Sequence, residues 1–318
     1  MNHSYTYLRF SITDQCNFNC FYCQPALRRH FLKNTDYLSF DEAFVLVSRL
    51  VARGIRHVRL TGGEPLQRPQ IVPFARRLSA IPGLEFLSLT TNGYGLSKAL
   101  AGLKESGVTK INISLDTLKR DRFRRLTGKD GFFKVKEAVV KAARLGFMHV
   151  KLNCIVMKGF NDDEILDFVE FGSKYGLDVR FIEFFPTHSR CDSLKQIFFS
   201  SSAVEKIISS AYGRLEPLGS DPFCGPAQYF KIRRESGRIG FISSVTDFFC
   251  GTCNRLRLTA DGKLYPCLHS EHCADLKVPL RASDDAQFAR LIEDTIVDKR
   301  IFNKAQCSRD FEMSSIGG

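Results

Sequence analysis

Six of the eleven cysteines in this 318-residue chain fall into two groups of three. They are Cys16, Cys20 and Cys23, spaced C-x3-C-x2-C, and Cys250, Cys253 and Cys267, spaced C-x2-C-x13-C. Thiolates are soft ligands that bind zinc, copper(I) or iron–sulfur clusters. A structural zinc site takes four protein ligands, whereas a [4Fe–4S] cluster held by three cysteines keeps one iron open for another ligand. The first trio therefore predicts a cluster with one open coordination position.

Each trio also has a zinc interpretation. His30 could complete a zinc site at the first trio, although the tight spacing is not the usual paired pattern of zinc ligands. In the second trio, a C-x2-C pair followed by a later cysteine is equally typical of a zinc ribbon, with Cys273 or His269 as fourth ligand. The residues alone leave this second alternative open.

Composition and charge indicate a globular protein with an anionic partner. The chain is 44% hydrophobic and 25% charged, and it contains no secretory signal and no apolar run long enough to span a bilayer, so a cytoplasmic location is expected. The odd number of cysteines argues against a secreted disulfide framework. A net charge of +12 suggests nucleic acid, a membrane surface or a phosphorylated small molecule as the partner.

Strand-like and helix-like segments alternate through the first part of the chain. Strands are predicted at residues 7–12, 55–61, 84–91, 110–116, 149–157 and 179–185. Helices are predicted at residues 38–54, 70–80, 96–106, 132–145 and 162–175. Six β–α units in series predict parallel strands with right-handed crossovers, and hence an open or partial (β/α) barrel.

This rhythm ends near residue 190, so two regions are predicted, 1–190 and 191–318. The second region contains two hairpin patterns, turning at Glu235–Gly237 and at Asp261–Gly262, together with helical segments after residue 196 and around 283–299. No linker rich in Gly, Pro or Ser separates the regions. We therefore expect an α+β extension packed tightly on the barrel.

The unusual segments follow the predicted strands at their carboxyl ends. They are the first cysteine trio, "GGEP" at 62–65, "TTNG" at 90–93, Ser114 with Asp116, and residues 183–186. Parallel barrels collect their chemistry at this rim, because the loops there converge. The pattern predicts one site at this rim.

The motifs "CNFNCFYC" and "TGGEP" resemble those of the radical S-adenosylmethionine (SAM) superfamily. Within it, the chain resembles the GTP 3′,8-cyclases of molybdenum cofactor biosynthesis, through segments such as "INISLDTL", "VKLNCIVMKGFND", "FCGTCNRLRLTADGKLYPCL" and the terminal "SSIGG". The resemblance implies a partial (β/α)6 TIM-like barrel of the radical SAM type, with a C-terminal α+β extension that carries a second iron–sulfur cluster.

It also implies an activity and its cofactors. Two [4Fe–4S] clusters would be present, and SAM bound to the first would give a 5′-deoxyadenosyl radical. That radical would take hydrogen from C3′ of GTP, and C3′ would then bond to C8, giving the first intermediate of the pathway. Expected partners are GTP, an electron donor protein of the flavodoxin or ferredoxin type, and the downstream cyclic pyranopterin monophosphate synthase. The resemblance implies neither a nucleic-acid nor a membrane partner, and it allows a homodimer.

The resemblance assigns residues by matching motif positions. The expected catalytic residues are Cys16, Cys20, Cys23, Arg255 and Arg257. The expected SAM contacts are Tyr22, Gly63, Ser114, Asn153 and Phe185. The expected GTP contacts are Arg9, Arg59, Thr90, Lys151, Arg255, Leu256 and Arg257. The expected cluster ligands are Cys16, Cys20 and Cys23 for the SAM cluster, and Cys250, Cys253 and Cys267 for the substrate cluster.

The residues themselves support a phosphorylated ligand. Arg255 and Arg257 lie two apart on a predicted strand and so share one face, and arginine suits bidentate phosphate recognition. Two positions depart from the family pattern: Phe185 replaces a common methionine, and His57 replaces a common lysine. The family's paired terminal glycines, Gly317 and Gly318 here, reach toward the active site; an ordinary chain end is the alternative.

Two other functions compete with this one. Another radical SAM enzyme, for instance one that modifies peptides, could carry an auxiliary second cluster, but paired arginines favour a triphosphate. A non-catalytic zinc or nucleic-acid-binding protein is suggested by the basic charge. The sequence lacks the interleaved aromatic and basic residues of a single-strand groove.

Overall fold

The computed structural model describes residues 5–23, 31–33, 35–185, 195–219, 225–247, 250–301 and 316. His30, Cys191, Cys224, Cys307, Gly317 and Gly318 lie outside these ranges. In the described part, no helix is long and apolar enough to cross a membrane.

Strands and helices alternate as predicted up to residue 183. The strands are β1 (Tyr7–Ser11), β2 (His57–Thr61), β3 (Phe86–Thr91), β4 (Val108–Ser114), β5 (His149–Val156) and β6 (Asp178–Glu183). The helices are α1 (Phe40–Ala52), α2 (Ile71–Ser79), α3 (Leu96–Glu105), α4 (Arg120–Thr127), α5 (Phe132–Arg144) and α6 (Ile165–Tyr175). Every predicted strand and helix of this part is confirmed, with ends displaced by a few residues.

The later part contributes short strands and three more helices. The strands are β7 (Glu216–Pro217), β8 (Gln228–Lys231), β9 (Ile239–Ile242), β10 (Arg255–Leu258), β11 (Lys263–Tyr265) and β12 (Ala274–Asp275). The helices are α7 (Ser201–Tyr212), α8 (Lys277–Arg281) and α9 (Asp285–Ile301). Both predicted hairpins are confirmed, because β8 pairs antiparallel with β9, and β10 with β11.

All of these strands belong to one sheet in the described part of the chain. Its order is β12-β11-β10-β1-β2-β3-β4-β5-β6-β9-β8-β7. The six predicted strands are parallel, which confirms the partial barrel. β10 adds in parallel to β1 and β9 in parallel to β6, so the extension continues the barrel wall at both edges. The hairpin patterns in the sequence do not indicate this parallel pairing with β1 and β6.

Helix α1 shows how local sequence sets the ends of these elements. Ser39 and Glu42 form a reciprocal capping box that begins the helix. The helix ends at Ala52, and Gly54 follows with a φ of 112°, a conformation that favours glycine. The buried residues of α1 are Ala43, Leu46, Val47, Leu50 and Val51.

The inner and outer faces of the barrel wall differ in polarity. Along β1, Leu8 and Phe10 are buried in the main hydrophobic core, whereas the alternate residue Arg9 points to the inner face. The same alternation on the other strands sends leucine, isoleucine and valine toward the helices and polar residues inward. The inner face, here called the lumen, is therefore polar although it is buried.

Candidate active site

The first cysteine trio lies on the loop that leaves β1. The backbone N–H of Cys23 donates to the carbonyl of Cys20 at 3.0 Å, and the N–H of Phe18 donates to Sγ of Cys16 at 3.4 Å. Asn92, in the loop after β3, adds a longer contact from Nδ2 to the same sulfur at 3.7 Å. These contacts bring the loops after β1 and β3 together at the predicted rim.

Burial controls the acidity of these thiols. It raises the pKa of Cys16 to about 11. Burial likewise raises the pKa of Cys20 well above its ordinary value, and the neighbouring charges of Cys23, Asp116 and Cys16 add to the effect. Without a cation, the thiolate forms of Cys16 and Cys20 are therefore disfavoured. Metal ions in this loop would supply the missing positive charge, because coordination deprotonates a thiol outright.

The "GGEP" segment after β2 is clamped to the cysteine loop. Gly63 N–H donates to the carbonyl of Thr13 at 2.8 Å, and Glu64 N–H donates to the carbonyl of Gln15 at 2.7 Å. Side chains at Gly62 and Gly63 would overlap these carbonyl oxygens. The close approach that the glycines permit is therefore an approach to the backbone of the cysteine loop.

Glu64 is a buried carboxylate that ties this clamp to β3. Its oxygens accept hydrogen bonds from Thr91 Oγ1 at 2.8 Å, from the N–H of Asn92 at 2.7 Å and from the N–H of Leu66 at 3.0 Å. Burial outweighs these donors and raises the pKa of Glu64 to about 7. The residue positions two loops of the rim.

Asp116, two residues after the end of β4, connects the cysteine loop to β5. Tyr22 is paired with Asp116, since its hydroxyl donates to Oδ2 at 2.6 Å. The N–H of Ile155 donates to Oδ1 of Asp116 at 2.8 Å. Burial raises the pKa of Asp116 to about 6. Ser114 ends β4, in register with Asn153 on β5.

Asn153 and Phe185 stand further along the rim. Oδ1 of Asn153 accepts a hydrogen bond from Nε of Arg180 at 2.8 Å, which fixes the amide within the lumen. The ring of Phe185 lies 5.0 Å from the ring of His269, and it packs beside Tyr265. The extension therefore supplies the surroundings of Phe185.

The second trio lies at the amino end of β10. Cys253 N–H donates to the carbonyl of Cys250 at 3.2 Å. Sγ of Cys253 accepts from Nε of Arg255 at 3.3 Å and from Nζ of Lys299 at 3.4 Å. Burial raises the pKa of Cys253, but the positive charges of Arg255 and Lys299 outweigh it and bring the value to about 6. This pKa favours the thiolate form of Cys253 at neutral pH, and the thiolate is the form that binds a metal.

A mononuclear metal site is not formed by the described side chains. Among them, no three His, Cys, Asp or Glu residues converge closely enough to hold one metal ion. A tetrahedral zinc ion with Zn–S bonds of about 2.3 Å needs such convergence. A [4Fe–4S] cluster instead binds each cysteine at a different iron.

Basic side chains line the lumen between the two trios. Arg9 stands in register with Arg59 on β2 and with Arg257 on β10. Burial lowers the pKa of Arg9, and the charges of Arg257, Arg59 and Arg255 lower it further, so these guanidinium groups lie close together. Burial also lowers the pKa of Arg257 to about 10, with Arg255 as the next cause. Lys151 is 1% exposed, with Nζ 5.1 Å from the Tyr229 ring.

Two lumen cations escaped the sequence analysis. Burial is the main cause that lowers the pKa of Arg59, and the charge of Arg180 on β6 lowers it further. The two guanidinium groups therefore lie near each other. Lys110 on β4 is 2% exposed, and its Nζ lies 4.1 Å from the centroid of Phe86. Both residues could have been predicted from the sequence, because each is a basic residue on a predicted barrel strand at a position that faces inward.

Two predicted GTP contacts remain, Thr90 and Leu256, and only Thr90 can offer its side chain. Thr90 is half-buried, and its Oγ1 accepts from Nδ2 of Asn112 at 3.3 Å. Leu256 alternates with the two arginines of β10, so its side chain points into the hydrophobic core and away from the lumen. Only its backbone can therefore contact a ligand there.

His57 is a neutral residue of the lumen floor. Its ring stacks on Tyr7 at 4.2 Å, and Nε2 lies 2.7 Å from Oγ of Ser88. Burial lowers the pKa of His57 well below its usual value, and Arg59 is the largest of the neighbouring charges that add to this effect. The position that often holds lysine in the family contributes no charge here.

The end of the chain reaches the same region. Ile316 is 2% exposed and packs beside Tyr265 and Phe185. Its carbonyl accepts a hydrogen bond from Nη1 of Arg257 at 3.3 Å. The last described residue before the terminal glycines therefore contacts a lumen arginine.

Comparison with known proteins identifies relatives of both regions. The model of the radical SAM superfamily matches residues 10–172, and that of Molybdenum Cofactor Synthesis C matches residues 177–304. The chain is 46% identical over 283 residues to a GTP 3′,8-cyclase of Pseudomonas syringae, covering 87% of this chain and 83% of the relative. It is 42% identical over 317 residues to a GTP 3′,8-cyclase of Moorella thermoacetica, covering 98% and 97%.

Solved structures share the fold at low sequence identity. Streptococcus suis SuiB bound to S-adenosylmethionine superposes with a TM-score of 0.68 at 14% identity, over 96% of this chain and 71% of SuiB. The enzyme anSMEcpe with bound AdoMet gives 0.57 at 14% identity, over 92% and 84%.

Proposed function

Because the chain belongs to the radical SAM superfamily and, within it, to the GTP 3′,8-cyclases, we propose that it cyclises GTP to (8S)-3′,8-cyclo-7,8-dihydroguanosine 5′-triphosphate. SAM is the cosubstrate, and the reaction is the first step of molybdenum cofactor biosynthesis. The observation that carries the proposal is the buried basic lumen, which lies between two cysteine trios.

The lumen residues bind the triphosphate. Arginine and lysine side chains that are withdrawn from water and crowded by like charges are stabilised by a polyanion, because each is desolvated already. The proposed phosphate ligands are Arg9, Arg59, Lys110, Lys151, Arg180, Arg255 and Arg257. Their burial inside the barrel suits a small anion, and it keeps them from a nucleic-acid duplex or a membrane surface.

Cys16, Cys20 and Cys23 hold the first [4Fe–4S] cluster, and Tyr22, Gly63, Ser114, Asn153 and Phe185 hold SAM beside it. When bound, this cluster supplies one electron to SAM and so provides the radical that opens the reaction. The clamp between Gly63 and Thr13 fixes the cysteine loop against β2. Asn153, held by Arg180, offers its amide at a fixed place on the rim.

Cys250, Cys253 and Cys267 would hold a second [4Fe–4S] cluster, which would supply an open iron for the guanine of GTP. Arg255 links this trio to the lumen, because its Nε contacts Cys253 while the neighbouring Arg257 lies deeper. Backbone groups of Leu256 and the hydroxyl of Thr90 complete the nucleotide site. Guanine at one end and phosphates in the lumen would orient the ribose toward SAM and exclude water from it.

The other expected partners follow from this activity. A reductive start requires a protein electron donor, of the flavodoxin or ferredoxin type. The product requires a downstream enzyme, the cyclic pyranopterin monophosphate synthase. Oxygen-sensitive clusters with cysteine thiolate ligands fit a reducing, cytoplasmic compartment. A homodimer is compatible with these proposals.

Anaerobic reconstitution tests the proposal. We expect about eight irons per chain and conversion of GTP to the cyclic nucleotide with one equivalent of 5′-deoxyadenosine. About four irons would contradict the second cluster. SAM cleavage without a GTP-derived product would contradict the substrate.

A further inference from the structure

We propose that the exposed side of α4 and its neighbours is the docking surface for an acidic protein that carries a one-electron cofactor. The surface consists of Phe21, Arg124, Arg125, Lys129 and Phe160 and is called the α4 face. The proposal rests on the proposed function, because only a cluster that must be reduced needs such a partner.

The α4 face lies directly outside the first cysteine loop. The N–H of Asn19 donates to the carbonyl of Thr127, the last residue of α4, at 2.8 Å. The ring of Phe18 packs edge-on against Phe123 of the same helix, with centroids 5.5 Å apart. The loop of residues 16–23 therefore rests on α4, and a protein bound there is separated from the cluster ligands by little intervening chain.

This surface carries an excess of positive charge. Residues 119–134 contain seven basic and two acidic side chains, and Asp163 and Glu164 pair with Lys119 and Arg122 of this set, which leaves a net charge of +3. One of the two acidic residues within 119–134, Asp130, is bonded to Arg120 at 2.6 Å. Arg124 and Arg125 are exposed, and neither forms an ion pair with a carboxylate of the described residues. Their charges are available to an acidic partner.

Aromatic side chains provide a small apolar centre beside these charges. Phe21, which lies between Cys20 and Cys23, is 36% exposed, and its ring packs edge-on against Phe160 at 5.9 Å. The guanidinium of Arg125 lies 5.8 Å from the Phe160 ring. A small apolar patch with a charged rim is typical of transient electron-transfer interfaces, which are the smallest class of specific interface.

Charge complementarity selects the partner. In the complex, one electron leaves the reduced cofactor of the acidic protein and enters the oxidised cluster, with no bond made or broken and no proton transferred. Rim charges of this kind act mainly by steering association, so binding should weaken as salt rises.

Binding of a flavodoxin, used as the probe, tests the surface directly. The test variant is Arg124→Glu with Arg125→Glu, and the control is Arg76→Glu with Arg290→Glu, which changes net charge equally on α2 and α9. At low ionic strength, we expect the test variant to bind oxidised flavodoxin at least about tenfold more weakly and the control within about twofold of the wild type. Equal affinities of the test variant and the wild type for flavodoxin would overturn the proposal. It would also be overturned if the test variant bound duplex DNA more weakly than the wild type but bound flavodoxin equally well.

Turnover with two reductants separates docking from catalysis. Dithionite reduces the cluster without docking, so the test variant should keep the wild-type rate with dithionite and lose most of the rate with reduced flavodoxin. Loss of both rates would assign α4 a structural role and overturn the docking proposal. Absence of turnover in the wild type with dithionite would instead overturn the proposed function, and the binding measurement would still judge the surface.

Discussion

Replacement of Arg59 by methionine tests whether this arginine binds the phosphates of GTP or only stabilises the fold. Arg59 is 6% exposed; its Nε donates to Oγ of Ser88 at 3.2 Å, and its guanidinium lies 5.2 Å from the Tyr7 ring. Burial lowers the pKa of Arg59, and the charges of Arg180 and Arg255 lower it further. In the described structure it has no ion pair with a carboxylate.

The substitution has small opposing effects on the protein without GTP. The lost hydrogen bond to Ser88 is worth about 1 kcal/mol and the contact with Tyr7 about 1–2 kcal/mol. Removal of one charge about 8 Å from another relieves about 2 kcal/mol at an effective dielectric of about 20. The free energy of unfolding should therefore change by less than about 2 kcal/mol. A lost charge-assisted bond to phosphate costs about 1.5–3 kcal/mol, which corresponds to an affinity for GTP that is about 10- to 150-fold weaker.

Calorimetric titration of the reconstituted protein with GTP and with guanosine checks this prediction. The variant should lose affinity for GTP and keep that for guanosine, which has no phosphates; urea unfolding measures stability in parallel. Unchanged affinity for GTP would refute the role of Arg59, and so would equal losses for both ligands together with destabilisation above about 3 kcal/mol.

Three further predictions concern the cysteine loops and the clamp. Gly63→Ala would place a methyl group on the carbonyl of Gln15, so iron content should fall from about eight to about four per chain; unchanged iron would argue against the clamp. Cys154 is buried in the core, so Cys154→Ala should keep all the iron and cost about 1–2 kcal/mol of stability, whereas Cys253→Ala should lose about four irons. Burial raises the pKa of Glu64 from 4.5 to about 7, so the folded state holds this proton more tightly than the unfolded chain. Stability through this group is thus full below pH 4.5 and falls by up to about 3 kcal/mol as pH rises through about 7; Glu64→Gln should flatten this slope in urea titrations between these pH values.

The sequence predicted the elements whose signals are local. Runs rich in β-branched or aromatic residues indicated the strands β1 to β6, and the amphipathic segment at residues 38–54 indicated α1. Each of these signals lies within a few residues of the element it forms. The rim could be predicted for the same reason, because each motif directly follows its own strand.

Features that depend on distant pairing escaped prediction. The hairpin signals of β9 and β10 were correct, but nothing local indicates that their other edges join β6 and β1. Helix α4 was missed because its segment, RDRFRRLT, carries only two large apolar residues, and packing of the cysteine loop on Phe123 stabilises it. In the sequence, Lys110 and Arg180 look like ordinary surface charges, and only the folded barrel shows that their side chains lie in the lumen.

The pairing of β10 with β1 has a consequence for how the proposed nucleotide site is built. Arg257 of the extension and Arg9 of the barrel stand in register on adjacent strands, so the lumen charge comes from both parts of the chain. The carbonyl of Ile316 reaches Arg257 from the end of the sequence. The cluster of Arg9 and Arg257, with the carbonyl of Ile316 bonded to it, forms only when distant parts of the chain have come together. The proposed boundary near residue 190 therefore divides the sequence into two regions, but both regions contribute residues to the proposed phosphate site.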